Sequence, residues 1–251
     1  MSRTKALSLQ DLSTAQVAQL DPTEWLVIWP IGSLEQHGPH LPLGTDTFVL
    51  DGIVQQARLE LGREFRGLFI PTMTIGKSPE HLDFVGTLSF KQETLLGMAT
   101  DIVHSLAQHK FSRFVFLNGH GGNTYLLQDL AYELRQRYRV GVYTLEIWSP
   151  DFFNRIFAKV FPTLEEKDGH AGVVETSVML YLYPELVGQL PKGYYPPEFD
   201  KPVPYGWLSS DYNTKGVFGD PSRADREAGK TIFDLAVAET CKLLREIYDS
   251  H

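Results

Sequence analysis

The sequence predicts an α/β fold, a three-layer α/β/α sandwich with a mostly parallel central sheet, and three observations carry that prediction. Short apolar runs alternate with longer stretches of helical periodicity, the pattern of strands joined by crossover helices. The short runs are rich in β-branched and aromatic residues with little polar alternation, as expected of strands covered on both faces. Glycine, proline and other turn residues bound each run.

Taken in order, strands are expected over 25–31, 68–73, 114–117 and 140–147, and helices over 47–61, 92–109, 124–138 and 172–182. Residues 184–220 hold too many prolines and glycines for a regular element and read as a long loop wrapping a site or an interface. A last helix is expected over 225–248. No internal repeat divides the chain, so residues 1–251 read as a single domain.

Bulk properties narrow the function. A net charge of -8 with scattered Lys and Arg argues against nucleic acid or an anionic membrane as partner. The one cysteine, Cys241, cannot form an internal disulfide, which fits a reducing compartment. No apolar run follows Met1 to Lys5 as in a signal peptide, and none approaches the roughly 20 residues of a membrane span. A soluble, cytoplasmic protein is expected.

Two segments carry the chemistry. Pro30-Ile31-Gly32-Ser33-Leu34-Glu35-Gln36-His37-Gly38-Pro39-His40 runs on through Leu41-Pro42-Leu43-Gly44-Thr45-Asp46, and Asn118-Gly119-His120-Gly121-Gly122-Asn123 follows another expected strand. Both fall at strand carboxyl ends, where open α/β sheets bind ligands. Glu35, His37 and His40 share a tight turn, and a loop can fold Asp46 back to the same point. Histidine nitrogen with carboxylate oxygen suits zinc, manganese or iron(II), whereas an all-oxygen set would suit magnesium or calcium.

A third patch, Asp168-Gly169-His170-Ala171-Gly172-Val173-Val174-Glu175, opens the helix expected over 172–182. Two readings stay open there. Glu175 can point back to the metal from about one turn in, or Asp168 caps the helix and Glu175 is an ordinary first-turn carboxylate. The polar segment 76–87 should overhang the same sheet edge, which makes Ser78, Glu80 and His81 substrate-contact candidates or, alternatively, members of a solvated loop held by local hydrogen bonds.

The Gly-Ser-x-Glu-Gln-His-Gly turn, the Leu-Pro-x-x-Thr-Asp after it, the Asn-Gly-His turn and the His-Ala-Gly-x-x-Glu-Thr-Ser helix start resemble the creatininase (creatinine amidohydrolase) family from about residue 25 to 183. The resemblance implies a creatininase-like fold and a two-metal centre. Asp46 would bridge, His37, His120 and Glu175 would hold one ion, usually zinc (Zn2+), and Glu35 would hold the other, a second divalent ion such as Mn2+, Zn2+ or Fe2+. It also implies that Ser78 and His170 face the substrate, and that the protein is a homohexamer. The creatinine-hydrolysing members continue the Asn-Gly-His turn through a bulky residue to a metal-ligating glutamate, where this chain has Gly122. They also carry a tryptophan shortly before the histidine matching His170, where this chain reads Leu164-Glu165-Glu166-Lys167. The Gly-Gly-Asn form is more similar to the wider family, with its formamide hydrolases and a peptidase of redox-peptide maturation.

The expected reaction is cleavage of a non-peptide C–N bond in a small-molecule amide, a cyclic amide such as creatinine or a formamide, by metal-bound hydroxide. Backbone N–H groups of Gly121 and Gly122 would stabilise the oxyanion. His170 would protonate the leaving amine, with Asp168 orienting it and Glu175 on the metal. Glu80 offers a carboxylate to make up for Gly122. A metallopeptidase acting on a short peptide, and a metal-binding homologue that has lost the reaction, are the alternatives.

Overall fold

The structure is a computed structural model describing residues 5–165, 167–196 and 206–250. The extreme amino terminus, residue 166 and residues 197–205, including Tyr205 of the expected wrapping loop, lie outside the described residues.

Among the described residues five strands form one sheet in the order β1-β3-β2-β4-β5, with parallel ladders throughout. They are β1 (Leu7–Ser8), β2 (Leu26–Ile31), β3 (Gly67–Phe69), β4 (Arg113–Asn118) and β5 (Gly141–Glu146). The helices are α1 (Thr14–Val17), α2 (Thr45–Leu61), α3 (Gln92–Gln108), α4 (Thr124–Tyr138), α5 (Pro150–Val160), α6 (Val173–Leu182) and α7 (Arg226–Asp249).

The strands alternate between two cores, as the two-residue period of a pleated strand requires. Leu26 and Ile28 of β2, with Val115 and Leu117 of β4, face one core built with α2, α5, α6 and α7. Val27, Trp29, Ile31, Phe114 and Phe116 face the other, built with α3 and α4. Fully buried side chains such as Leu50, Ile53 and Leu127 each contribute about 1.5–3 kcal/mol to that packing.

Differences from the sequence expectation have local causes. The third strand is shorter than 68–73 because Pro71 has no N–H for a ladder; the chain stays attached by single bonds from Ile70 N to Ile28 O (3.0 Å) and from Met73 N to Pro30 O (3.0 Å). Helix α5, absent from the sequence reading, begins with Pro150 in its first turn and buries Phe152 and Ile156. Strand β1 is two residues long, too short for a periodic signal. The described parts of 184–220 hold only short 3-10 turns and a Tyr195–Gly219 bridge, as a wrapping loop should. Among the described residues no helix is long and apolar enough to cross a membrane.

Candidate metal centre

The turn leaving β2, the turn leaving β4 and the start of α6 converge at the carboxyl edge of the sheet. Asp46 sits in the first turn of α2, where the helix dipole favours a negative charge. His120 follows β4 directly, its N–H donating to Asn118 Oδ1 (3.1 Å). Glu175 reaches back from the first turn of α6 to accept from Ala171 N at 2.6 Å. Ala171 is buried in a left-handed conformation (φ 52°), which turns its N–H toward that carboxylate.

Three groups of donor atoms result, each within 4.8 Å: Glu35, Asp46 and His120; His37, Asp46 and Glu175; and Glu35, His37 and His170. Asp46 belongs to the first two. Its Oδ1 lies 3.2 Å from His37 Nε2 and its Oδ2 lies 3.0 Å from His120 Nδ1. His37 Nε2 is also 3.8 Å from Glu175 Oε2, and His120 Nε2 is 3.2 Å from Glu35 Oε2. The geometry therefore puts His120 with Glu35, not with His37 and Glu175 as the resemblance implied.

The donor set fits a cation. Glu35 Oε1, His37 Nε2 and Asp46 Oδ2 are buried and have no hydrogen-bond partner. An unsatisfied buried polar group costs about 1–3 kcal/mol, more when charged, so three at one point need a partner of opposite charge. His37 is prepared as a ligand, since its Nδ1 donates to Glu35 O (3.1 Å) and its Nε2 is left facing the carboxylates.

Charge follows the same geometry. Burial alone would lower His37 and His120, but Asp46, Glu175 and Glu35 push His37 up to about 10, and Glu35 with Asp46 pushes His120 up to about 9. Burial acts to raise Asp46, yet the two imidazoles hold it well below the usual carboxylate range. Burial lifts Glu35 to about 7 and also raises Glu175. The centre thus gathers three carboxylates and two histidines that a cation would relieve of their protons.

Around the donors lies a second tier that the sequence reading divided differently. His170 Nε2 donates to Gln36 O (2.7 Å), leaving Nδ1 toward Glu35 Oε1 at 3.6 Å. Burial, with cationic His37, holds His170 well below its ordinary range, so it is neutral at pH 7. His81 accepts from Gln36 Nε2 at Nδ1 (2.8 Å) and presents Nε2 to Glu35 Oε1 at 3.4 Å. Burial and the neighbouring imidazolium groups push His81 down to about 3. The rings of His37, His170 and His81 lie side by side, with centroids 4.2 and 4.4 Å apart.

Three expectations are corrected. Asp168 does not orient His170; its carboxylate accepts from Val173 N (2.7 Å) and Val174 N (3.1 Å) and so caps α6. Of the two readings left open, the cap holds for Asp168 and the backward reach for Glu175. Ser78 is fully buried, 2.5 Å from Ser33 Oγ and 3.2 Å from His120 Nε2, and supports the donors instead of facing the cavity. His40 turns away to Thr176 Oγ1 (2.9 Å) because Gly38 and Pro39 reverse the chain before it.

Above the donors opens a cavity of about 670 Å³. Lys77, Glu80, His81, Gly121 and Gly122 line it together with the aromatic side chains of Tyr125, Trp148, Phe153, Trp207 and Phe218, which make up its aromatic wall. The late loop is tethered over it by Gln36 Nε2 to Gly216 O (3.1 Å), Ser209 Oγ with His81 Nδ1 (3.0 Å) and Phe218 N to His170 O (2.8 Å). Gln36, Tyr125, Trp148 and Phe153 escaped the sequence reading. Gln36 sits inside the quoted turn, where only a buried side chain spanning to residue 216 distinguishes it from a spacer.

The creatinine amidohydrolase family model matches residues 10–244 of the chain. The chain belongs to the creatininase family. Curated relatives include the mycofactocin precursor peptide peptidase of Mycobacterium ulcerans (strain Agy99), 33% identical over 90% of this chain and 86% of the relative. The creatinine amidohydrolase of Pseudomonas putida is 28% identical over 91% of this chain and 92% of the relative. A crystal structure of creatinine amidohydrolase superposes with a TM-score of 0.78 at 25% identity, covering 99% of this chain and 100% of that one. A structure of creatininase with Mn also superposes with a TM-score of 0.78, at 26% identity over 96% of this chain and 98% of that one. Family relatives include hydrolases of different substrates, so the creatininase family membership makes this chain a hydrolase without naming what it cleaves.

Proposed function

We propose that the protein is a metal-dependent amidohydrolase cleaving a non-peptide C–N bond in a small molecule, a cyclic amide or a formamide. The observation that carries this reading is the convergence of the unpartnered Glu35 Oε1, His37 Nε2 and Asp46 Oδ2 beneath an open cavity. His37, Asp46 and Glu175 would hold one divalent ion, and Glu35, Asp46 and His120 a second, with zinc, manganese or iron(II) suited to both sets. When bound, such an ion lowers the pKa of a water from about 15.7 toward 7 and polarises the substrate carbonyl.

The chain's own groups do the rest. His170, neutral and with Nδ1 turned to the centre, accepts the proton of the attacking water and delivers it to the departing nitrogen as the C–N bond breaks. Ser33 Oγ donates to Glu35 Oε2 (3.2 Å) and fixes its carboxylate, with His81 Nε2 standing 3.4 Å from the unpartnered Oε1. Gly121 and Gly122 open a 3-10 turn whose first N–H groups face outward from the turn, suited to the oxyanion. The aromatic wall excludes water from the reacting amide.

A short peptide is the second reading. The 33% identity to the mycofactocin precursor peptide peptidase and the aromatic-walled cavity of about 670 Å³ both favour it. Elemental analysis of the purified protein, with amine release measured across lactams, cyclic ureas, formamides and short peptides, tests the two together. Hydrolysis confined to peptides would replace the first reading by the second, and no hydrolysis with any metal would remove both. The homohexamer implied by the resemblance is read by light scattering.

A further inference from the structure

We propose that Glu80 is a protein ligand of the Glu35–Asp46–His120 site, its carboxylate standing where a glutamate side chain at position 122 would otherwise deliver one. The proposal rests on the two-ion reading above. Each of the two sites has three donors with Asp46 common to both, and Glu80 stands beside His120, which belongs to this site alone. A divalent ion bound by nitrogen and oxygen takes four or more ligands, and one position is therefore open to a further donor.

Gly122 cannot supply it, and the structure explains why no other residue could stand there. A Cβ at Gly122 would meet Glu80 Oε1 at 2.5 Å, Lys77 O at 2.5 Å and His120 Nε2 closer still. The volume that a side chain at 122 would start from is already filled by Glu80's carboxylate oxygen, next to the imidazole of His120. The glycine and the glutamate are thus two halves of one arrangement.

The backbone holds Glu80 in that position. Lys77 N donates to Asn123 Oδ1 (2.9 Å), tying the segment before Glu80 to the turn containing Gly122. Ser78 N donates to Ser89 Oγ (2.8 Å), and Phe90 N to Gly76 O (2.9 Å), closing the loop at its base. Glu80 then lies in the 3-10 turn Pro79–His81, whose last residue, His81, brings Nε2 to 3.4 Å from Glu35 Oε1.

Metal content of the dialysed wild type and of Glu80→Gln, with Mn2+ binding followed by the EPR signal of the free ion, tests the proposal. Wild type is expected to hold two ions per chain. Glu80→Gln is expected to keep one and to bind the second at least about tenfold more weakly. Glu80→Asp, with the charge kept on a shorter arm, should fall between them. The visible spectrum of the Co2+-loaded protein supplies a second readout, since losing a ligand changes it. Two ions bound by Glu80→Gln as tightly as by wild type overturn the proposal and leave the two-ion reading standing. An unchanged Co2+ spectrum with weaker binding also overturns it, because Glu80 would then only position His120. One ion in wild type overturns it and leaves a one-ion hydrolase; none overturns both.

Discussion

Asp46 Oδ1 lies 3.2 Å from His37 Nε2 while its other oxygen lies 3.0 Å from His120 Nδ1, so one carboxylate faces both histidines of the centre. No other side chain is shared by both of those donor groups. Asp46→Ala is therefore expected to empty both sites, with metal content falling below one ion per chain and turnover dropping more than about 100-fold. Elemental analysis beside an activity assay checks this. Retention of two ions would show that the carboxylate does not bridge.

His170 touches the centre from above through Nδ1, and its Nε2 is tied to Gln36 O. His170→Ala should keep its metal and lose about 10²- to 10⁴-fold in turnover. Wild-type turnover in that variant would remove the proton-transfer role. A metal content that falls in step with activity would instead make His170 a ligand.

Without bound cations, stability should fall as pH rises. His37 and His120 are held up to about 10 and 9 by their carboxylate neighbours. A histidine raised above its ordinary value of about 6.5 stabilises the fold fully below that pH, and the contribution is lost as pH climbs through the folded-state value. Chelated protein is expected to melt lower at pH 9.5 than at pH 6.5. Metal affinity should move the other way, because both imidazoles must be deprotonated to bind. Calorimetry with chelator and with excess Zn2+ reads both slopes, and parallel slopes would contradict the assignment of the two histidines.

Asp168 caps α6 through two backbone N–H groups and makes no bond to His170. Asp168→Ala is expected to destabilise the protein by about 1–2 kcal/mol while leaving the shape of the pH–rate profile unchanged. A displaced profile would return Asp168 to the proton-transfer chain.

Tyr125 lines the cavity yet is 85% exposed, so it is free to meet a substrate that extends beyond the donors. Tyr125→Ala should raise KM several-fold for a peptide and leave a formamide or lactam unaffected, with no change in Tm. Equal effects on both substrate classes would place the reacting amide itself against Tyr125.

The layered fold was legible because its signals are local. The apolar runs that became β2 and β4 are buried on both faces, and helix 124–138 ends where its periodicity ends. Strand β1 and α5 depended on partners far along the chain. The donors at the strand ends were readable from residue type and spacing, but their division into two groups was not. That division is set by which ring nitrogen of His120 turns to Asp46, a choice made by packing. Ser78 misled because a serine in a polar loop carries no sequence mark of its burial beneath the cavity.

The late loop reaches the centre through three tethers, and at two of them the loop contributes only main-chain atoms: the carbonyl of Gly216 and the amide of Phe218. The first of them needs glycine, since Gly216 has a φ of 63° and a Cβ there would run into the Gln36 side chain that makes the tether. Phe218 is fully buried against His170 and Trp207, whereas half-buried Trp207 makes none of the three tethers and can be exchanged for smaller or polar groups while the strap keeps its course over the donors. Selectivity at Trp207 and reactivity at the donors are held by separate parts of the chain, so a library randomised at position 207 would sample new substrates without disturbing the chemistry underneath.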